Sequence, residues 1–230
     1  MMTPEHLRTG SIPPVPAKLT ANTMTPEELA ALTKPEVYRK EEVAWFMTCS
    51  DPRWELSNMA GGMALYWPLV RCRENQWNSS EQLYQATKYG SDIICLPQSA
   101  PDADPSVRRR IQAQPSPRGA KLTQKCAVKA GLVRSDWEDP IQEVRIRSML
   151  WVLELKLYWN PMTFGRVLAE TGSRPIVEIS TKDPFWGCRV AEGGTLHGSN
   201  VLGKLLESVR SRSLEVRRGQ FSSGEGFLLP

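Results

Sequence analysis

Residues 180–210 read "STKDPFWGCRVAEGGTLHGSNVLGKLLESVR". Within them "GSNVLGKL" (198–205) has the G-x4-G-K spacing of a nucleotide-binding phosphate loop, and a true loop of that kind would dictate the fold. Leu205 stands where Mg²⁺ requires Ser or Thr, and no apolar strand runs into the glycines. The phosphate-loop reading is therefore set aside. What remains is a Gly-rich loop opening a helix, roughly 200–213. Val201, Leu202, Leu205, Leu206 and Val209 give that helix an apolar stripe, so its body belongs to a core. The backbone N–H groups of Ser199 to Val201 are expected to point outward as an anion site at the helix N-terminus. Asp183, before Pro184, reads either as a turn or N-cap residue or as a functional acid.

Outward from this stretch the chain alternates helices with a little strand. "VAWFMT" (43–48) reads as a buried strand and "PIVEIS" (175–180) as a short one, each apolar and β-branched or aromatic. "MALYWPLVRCRENQW" (63–77) is strand or hairpin material, with Pro68 confining part of it to an edge. Helices are expected over 81–90, over 116–131 with Gly131 as C-cap, from about Trp137 to Trp159 as the longest, and over 161–171. The segment 95–110, "CLPQSAPDADPSVRRR", reads as a loop with an exposed basic cluster, "VRRR" (107–110), which is either a solvated surface or a phosphate contact for a nucleic-acid substrate. The fold class is α+β, a mainly helical single domain with a small β-sheet.

Three regions follow from composition. Residues 1–38, rich in Pro and Thr, form an N-terminal extension, flexible or weakly docked; Thr25, Pro26 and Glu28 mark one short capped helix inside it. Residues 39–213 form the domain. Residues 214–230, with linker-like Ser and Gly, form a C-terminal tail. The 230 residues carry a net charge of +4, mildly basic, which suits an anionic ligand without concentrating charge as a dedicated nucleic-acid binder does. Five cysteines without a CxxC pair, and only two histidines, argue against a zinc site or a His-based triad. No metal and no cofactor are expected. Free thiols and the absence of a signal-peptide pattern or a long apolar run point to a soluble, cytoplasmic protein.

Residues 78–88, "NSSEQLYQATK", pose the functional question. On a helix, positions 81, 84, 85 and 88 share one face, and Glu81 and Lys88 lie about 10 Å apart along the axis. That spacing suits two groups gripping one nucleoside-sized ligand. Spacing alone favours a plainer account, in which Asn78 is the N-cap and Glu81 the capping-box acid.

Taken in order, these pieces resemble the NADAR, or YbiA-like, domain family. The chain offers Ser57-Asn58-Met59, Trp77 through Glu81 to Lys88, Ala120-Lys121 and Arg134-Ser-Asp-Trp137. It continues with Met149 through Lys156 to Asn160-Pro161, Thr171-Gly172, Asp183-Pro-Phe-Trp186-Gly187, and Gly198-Ser-Asn200-Val-Leu-Gly203 to Arg210. Each motif is weak alone; the ordered set, spanning about 43–211, is specific. Gln82 departs from the family's usual His, and Met59 from its usual Phe.

The resemblance implies an N-glycosidase that cleaves a bond between ribose C1 and a base nitrogen. Its substrate would be an ADP-ribosylated guanine in DNA or RNA, with an unidentified toxin partner or phage conflict as the setting. The alternatives are a ribosyl-aminopyrimidine phosphate of riboflavin synthesis, or a non-catalytic ADP-ribose or NAD-binding module. By motif position Glu81 and Asp183 become the acid–base and charge-stabilising pair, and Lys88 an amine able to form an imine at C1. Trp77, Trp137 and Trp186 would stack the base or adenine, and Lys121 with the 198–203 loop would hold phosphate. Ser57, Asn58, Tyr84, Gly187, Gly198, Asn200 and Gly203 complete the implied binding set.

Overall fold

The computed structural model describes residues 24–48, 50–67, 71–89, 104–139 and 143–222. Helix α1 (Pro26–Thr33) starts at Thr25, whose hydroxyl accepts the Glu28 N–H while the Glu28 carboxylate accepts the Thr25 N–H, the predicted capping box. Strand β1 (Glu36–Arg39) follows, then β2 (Ala44–Phe46), β3 (Leu65–Tyr66) and β4 (Gln76–Trp77). Next come α2 (Ser80–Ala86), α3 (Pro105–Gln112), α4 (Pro117–Lys129), α5 (Val144–Trp159) and α6 (Arg166–Glu170). Strands β5 (Ile176–Glu178), β6 (Arg189–Val190) and β7 (Thr195–Gly198) precede α7 (Val201–Ser222).

Among the described residues the strands make three small sheets rather than one: antiparallel β1-β7-β6, the parallel pair β2-β5, and the antiparallel pair β3-β4. The fold class is α+β and mainly helical. Its core lies around α5, whose Ile146, Leu150, Trp151, Val152 and Leu153 are fully buried, with the apolar stripe of α7 packed alongside. Burial of each such side chain contributes roughly 1.5–3 kcal/mol. Lys156 is buried in this core too, its ammonium donating to the Glu55 and Ser57 carbonyls at 2.7 and 2.9 Å. It thereby ties the 55–59 loop to α5.

Several expectations need correction. Residues 24–38 are not loosely attached: Met24 and Leu29 are buried, β1 pairs with β7, and Lys204 donates to the Lys34 carbonyl at 2.8 Å. Helix α5 begins at Val144 and not at Trp137, because Arg134 and Asp136 form a two-pronged ion pair that closes a turn there. Pro140 would also break a helix interior. The longest helix is α7, which continues nine residues past Ser213 into the stretch expected to be linker. "PSVRRRIQ" is helix α3, capped by Asp104, and not loop. Pro68, the 95–103 loop, Cys49 and both chain ends lie outside the described residues.

Candidate active site

The helix expected over 81–90 runs Ser80–Ala86 and continues as a 3-10 turn to Tyr89, and its cap lies one residue later than expected. Ser79, not Asn78, is the N-cap, accepting the Gln82 N–H at 3.1 Å, and the Gln82 amide oxygen accepts the Asn78 N–H at 2.6 Å. The reciprocal side chain of the cap is thus Gln82, and Glu81 is released from the capping role. Gln82 also directs its amide nitrogen at the carbonyls of Ile111, Gln112 and Gln114, at 2.9–3.0 Å. The residue that departs from the family pattern therefore faces the α3–α4 turn.

The opposite face of α2 opens on a cleft of about 290 Å³. Glu81, Tyr84 and Gln85 line it from α2, and Lys88 from the 3-10 turn Thr87–Tyr89 that follows. Helix α4 contributes Lys121 and Gln124; the 137–149 region contributes Trp137, Glu138, Arg145 and Met149. Across from them stand Glu178 at the end of β5, then Ser180, Asp183 and Trp186. Asn58, Met59 and Leu202 complete the wall.

The Glu81 carboxylate accepts the Gln85 amide at 2.7 Å and lies 3.7 Å from the Lys121 ammonium. Its own N–H donates to the Asn58 carbonyl at 3.0 Å. Two buried oxygens here, Asn58 Oδ1 and Gln85 Oε1, have no hydrogen-bond partner within the protein. Groups so placed favour a polar ligand, since a buried polar atom without a partner costs about 1–3 kcal/mol.

The aromatic walls are fixed by the motifs on either side. Arg134 donates its backbone N–H to the Lys88 carbonyl at 3.1 Å, joining the lysine's turn to the turn that carries Trp137. Asp183 Oδ1 accepts the N–H groups of Phe185 and Trp186 at 3.0 and 3.1 Å, and so orients Trp186 while itself lining the cleft. Tyr84 sits between the indoles, 5.6 Å from Trp137 and 5.7 Å from Trp186 by ring centroid. The Lys88 ammonium lies 5.3 Å from the Trp137 ring centre.

Burial sets the protonation states. It lowers Lys88 to about 8, against the opposing pull of Glu81 and Glu138. Burial, with Glu81 and Asp183 as like charges, raises Glu178 to about 7. It also pushes the Tyr84 phenol well above its ordinary range, so that hydroxyl stays neutral. Near neutral pH the cleft is thus lined by an amine that is about one-tenth neutral and by a carboxyl that is about half protonated.

Eight of the residues singled out in the sequence line this cleft: Asn58, Glu81, Tyr84, Lys88, Lys121, Trp137, Asp183 and Trp186. Six do not. Trp77 is buried in β4 under the Arg108 guanidinium, and Ser57 is turned toward the Met59 N–H. Gly187, Gly198 and Gly203 are close-packing positions: a Cβ would fall 2.6 Å from the Glu178 carbonyl, and within clashing distance of the Gly187 and Ile176 carbonyls, respectively. Asn200, at φ 50°, accepts the Glu178 N–H and donates to the Ile176 carbonyl. The expected anion site is occupied by protein. The N–H groups of Ser199, Asn200 and Val201 donate to the carbonyls of Pro184, Gly187 and Phe185.

Glu178, Gln85 and Arg145 were missed. The signal for Glu178 was a lone acid inside the apolar run "PIVEIS", where an ionisable group is costly unless it has a task.

A model of the NADAR domain matches residues 38–213, and the chain belongs to that family. It is 30% identical over 142 residues to the N-glycosidase Npun_R5314 of Nostoc punctiforme, covering 61% of this chain and 77% of that protein. It is also 30% identical over 139 residues to the riboflavin biosynthesis protein VVA0006 of Vibrio vulnificus, but spans only 31% of that protein's length and 60% of its own. The solution structure of the E. coli protein YbiA shares the fold, with a TM-score of 0.56 at 22% identity over 78% of this chain and 92% of that one. Among the described residues no helix is long and apolar enough to cross a membrane, and no three His, Cys, Asp or Glu side chains are grouped to hold a metal.

Proposed function

We propose that the chain is an N-glycosidase that hydrolyses the bond between ribose C1 and a base nitrogen, releasing ADP-ribose from modified guanine in nucleic acid. The observation that carries this reading is the meeting of Lys88, Glu81 and Glu178 in one cleft walled by Tyr84, Trp137 and Trp186. The N-glycosidase relative supports the reaction class.

Breaking a glycosidic C–N bond builds positive charge on C1 and negative charge on the leaving base. Glu81, held by Gln85 and Lys121, is the carboxylate that faces the developing cation. Glu178, about half protonated near neutral pH, donates its proton to the leaving base. The neutral Lys88 amine attacks C1 as the C–N bond to the base breaks, and its surplus proton returns to the Glu178 carboxylate. The adduct opens to an imine, which water hydrolyses, freeing the sugar aldehyde and the lysine. The indoles and Tyr84 stack the base. Asp183 orients Trp186 and adds negative charge to the same wall.

A second reading, hydrolysis of a ribosyl-aminopyrimidine phosphate, rests on the name of the Vibrio relative. The two separate in one experiment. Purified protein is incubated with an oligonucleotide carrying one ADP-ribosylated guanine, and in parallel with the ribosyl-aminopyrimidine phosphate. Release of ADP-ribose from the first at the higher kcat/KM is expected. Turnover of the second alone would overturn the nucleic-acid assignment, and turnover of neither would overturn the glycosidase reading.

A further inference from the structure

The net positive charge of this protein is located in one place. Residues 105–129, the α3–α4 hairpin, hold seven of the 29 Lys and Arg residues and none of the 25 Asp and Glu. The rest of the chain therefore carries fewer cations than anions, 22 against 25. Hydrogen bonding and packing hold the hairpin rigidly: Gln82 clamps its turn, and Val107, Ile111, Ala120 and Ala127 are buried beneath it.

The outer face carries the cations, with Leu122 and Val128 exposed among them. Arg109, Arg110, Arg118, Lys121, Lys125 and Lys129 are all exposed. Among the described residues Arg109, Arg110, Arg118, Lys125 and Lys129 form no ion pair within 4 Å, although Arg109 and Arg110 act on the nearby Asp104 carboxylate. At a helical spacing of 118, 121, 125 and 129 the α4 cations form one stripe about 16 Å long. Lys121, in the middle of that stripe, is also a wall of the cleft. The stripe therefore runs to the cleft mouth.

We propose that the α3–α4 hairpin is a docking surface for the phosphate backbone of a single-stranded nucleic acid, which it leads past Lys121 to the cleft. This deepens the reading of the cleft as a site for a base carried on nucleic acid, and rests on it. A stripe of four cations about 16 Å long is long enough to follow several successive phosphates of one strand. Unpaired cations are what such a backbone needs, because each phosphate neutralised releases bound counterions. A membrane surface fits less well. The hairpin has no aromatic residue, and Val107, Ile111, Ala120 and Ala127 are buried against the domain, leaving Leu122 and Val128 as separate exposed apolar side chains, whereas an interfacial helix presents a continuous apolar face to lipid. A single strand is favoured because a base must leave its stack to enter a cleft this small.

The test is fluorescence anisotropy with a labelled, unmodified 20-nucleotide single-stranded DNA, titrated with the whole chain over a range of salt concentrations. The hairpin variant is Arg109→Ala/Arg110→Ala/Lys125→Ala/Lys129→Ala. The control removes four exposed cations elsewhere: Lys34→Ala/Arg39→Ala/Lys40→Ala/Arg166→Ala. The hairpin variant is expected to bind at least about tenfold more weakly at low salt. Its log–log salt slope should be shallower by about 2–3, since each phosphate left unneutralised removes about 0.7. The control should stay within about threefold of the native chain. Equal weakening by both sets, or no binding by the native chain, overturns the proposal. So does hairpin-dependent capture by phosphatidylserine vesicles without oligonucleotide binding. Because the probe carries no ADP-ribose, this result is independent of hydrolysis: activity on the modified oligonucleotide with no hairpin effect removes the surface alone, and hairpin-dependent binding without activity removes the glycosidase reading alone.

Discussion

The 198–203 loop and the cleft face of α2 both look like ligand sites in the sequence, and the structure treats them in opposite ways. In the loop, the N–H groups of residues 199–202 donate to carbonyls of 184–187, and both ends of the Asn200 amide are bonded to β5. On α2, Gln85 keeps a buried oxygen without a protein partner, as does Asn58 beside it, and Lys88 and Glu178 are held away from their ordinary protonation. Saturated polar groups are scaffold; incompletely satisfied ones mark where something else binds or reacts. The loop serves the cleft indirectly, since Asn200 and Gly187 hold the strand end that presents Glu178.

The sharpest way to break this contrast is Lys88→Ala, which should lower kcat by about 10³-fold or more while leaving the fold intact, as read by circular dichroism. A thermal melt should even rise near pH 7. A lysine whose folded value lies below its unfolded one costs stability wherever it is charged, and that cost disappears as pH climbs from about 8 towards 10.5.

Next comes Glu178→Gln, expected to cost about 10²-fold in kcat. The native pH–rate profile should be bell-shaped with its maximum between about 7 and 8, and the variant should lose the limb assigned to the acid. The stability sign is again defined: a carboxyl raised to about 7 makes the folded state weaker as pH rises from its unfolded value through 7. Glu178→Gln should therefore raise the melting temperature at pH 8. A gain of stability with loss of activity separates a site residue from a scaffold residue.

The loop should show the reverse pattern. Gly203→Ala places a Cβ against the Ile176 carbonyl and should destabilise the fold by about 3 kcal/mol or more, measured by urea unfolding. If it instead reduced activity in a fully stable protein, the division between scaffold and site would fail. The smallest effect is expected from Gln82→His, the family's usual residue. It should leave kcat within about threefold while costing stability of about 1 kcal/mol, because the side chain faces the α3–α4 turn.

How much of this was legible depends on the kind of signal. Capping residues and apolar stripes are local, so α1 and α7 could be read directly from Thr25-Pro26 and from Val201 to Val209. The cap of α2 was misplaced by one residue because Asn78, Ser79 and Ser80 are all competent caps, and only the bonds of Gln82 to residues 111–114 choose among them. Trp137 is legible as a site residue, but its turn reads as helix in the sequence, since the Arg134–Asp136 pair that builds the turn is invisible as a pair there. Glu178 could not be assigned because its neighbours Glu81, Asp183 and Lys121 come from three other segments. Glycines 198 and 203 carried a motif that fits an anion cradle and close packing equally well, and only the nearby carbonyls decide.

The central claim is that Lys88 acts in the cleft as a nucleophile towards ribose C1. Its direct test is reductive trapping: an oligonucleotide with one ADP-ribosylated guanine is incubated with the protein and sodium cyanoborohydride, and intact and peptide masses are recorded. The account predicts a protein adduct of ADP-ribose mass mapped to Lys88, restored guanine in the DNA, and neither product with Lys88→Ala. Full release of ADP-ribose by Lys88→Ala would contradict it.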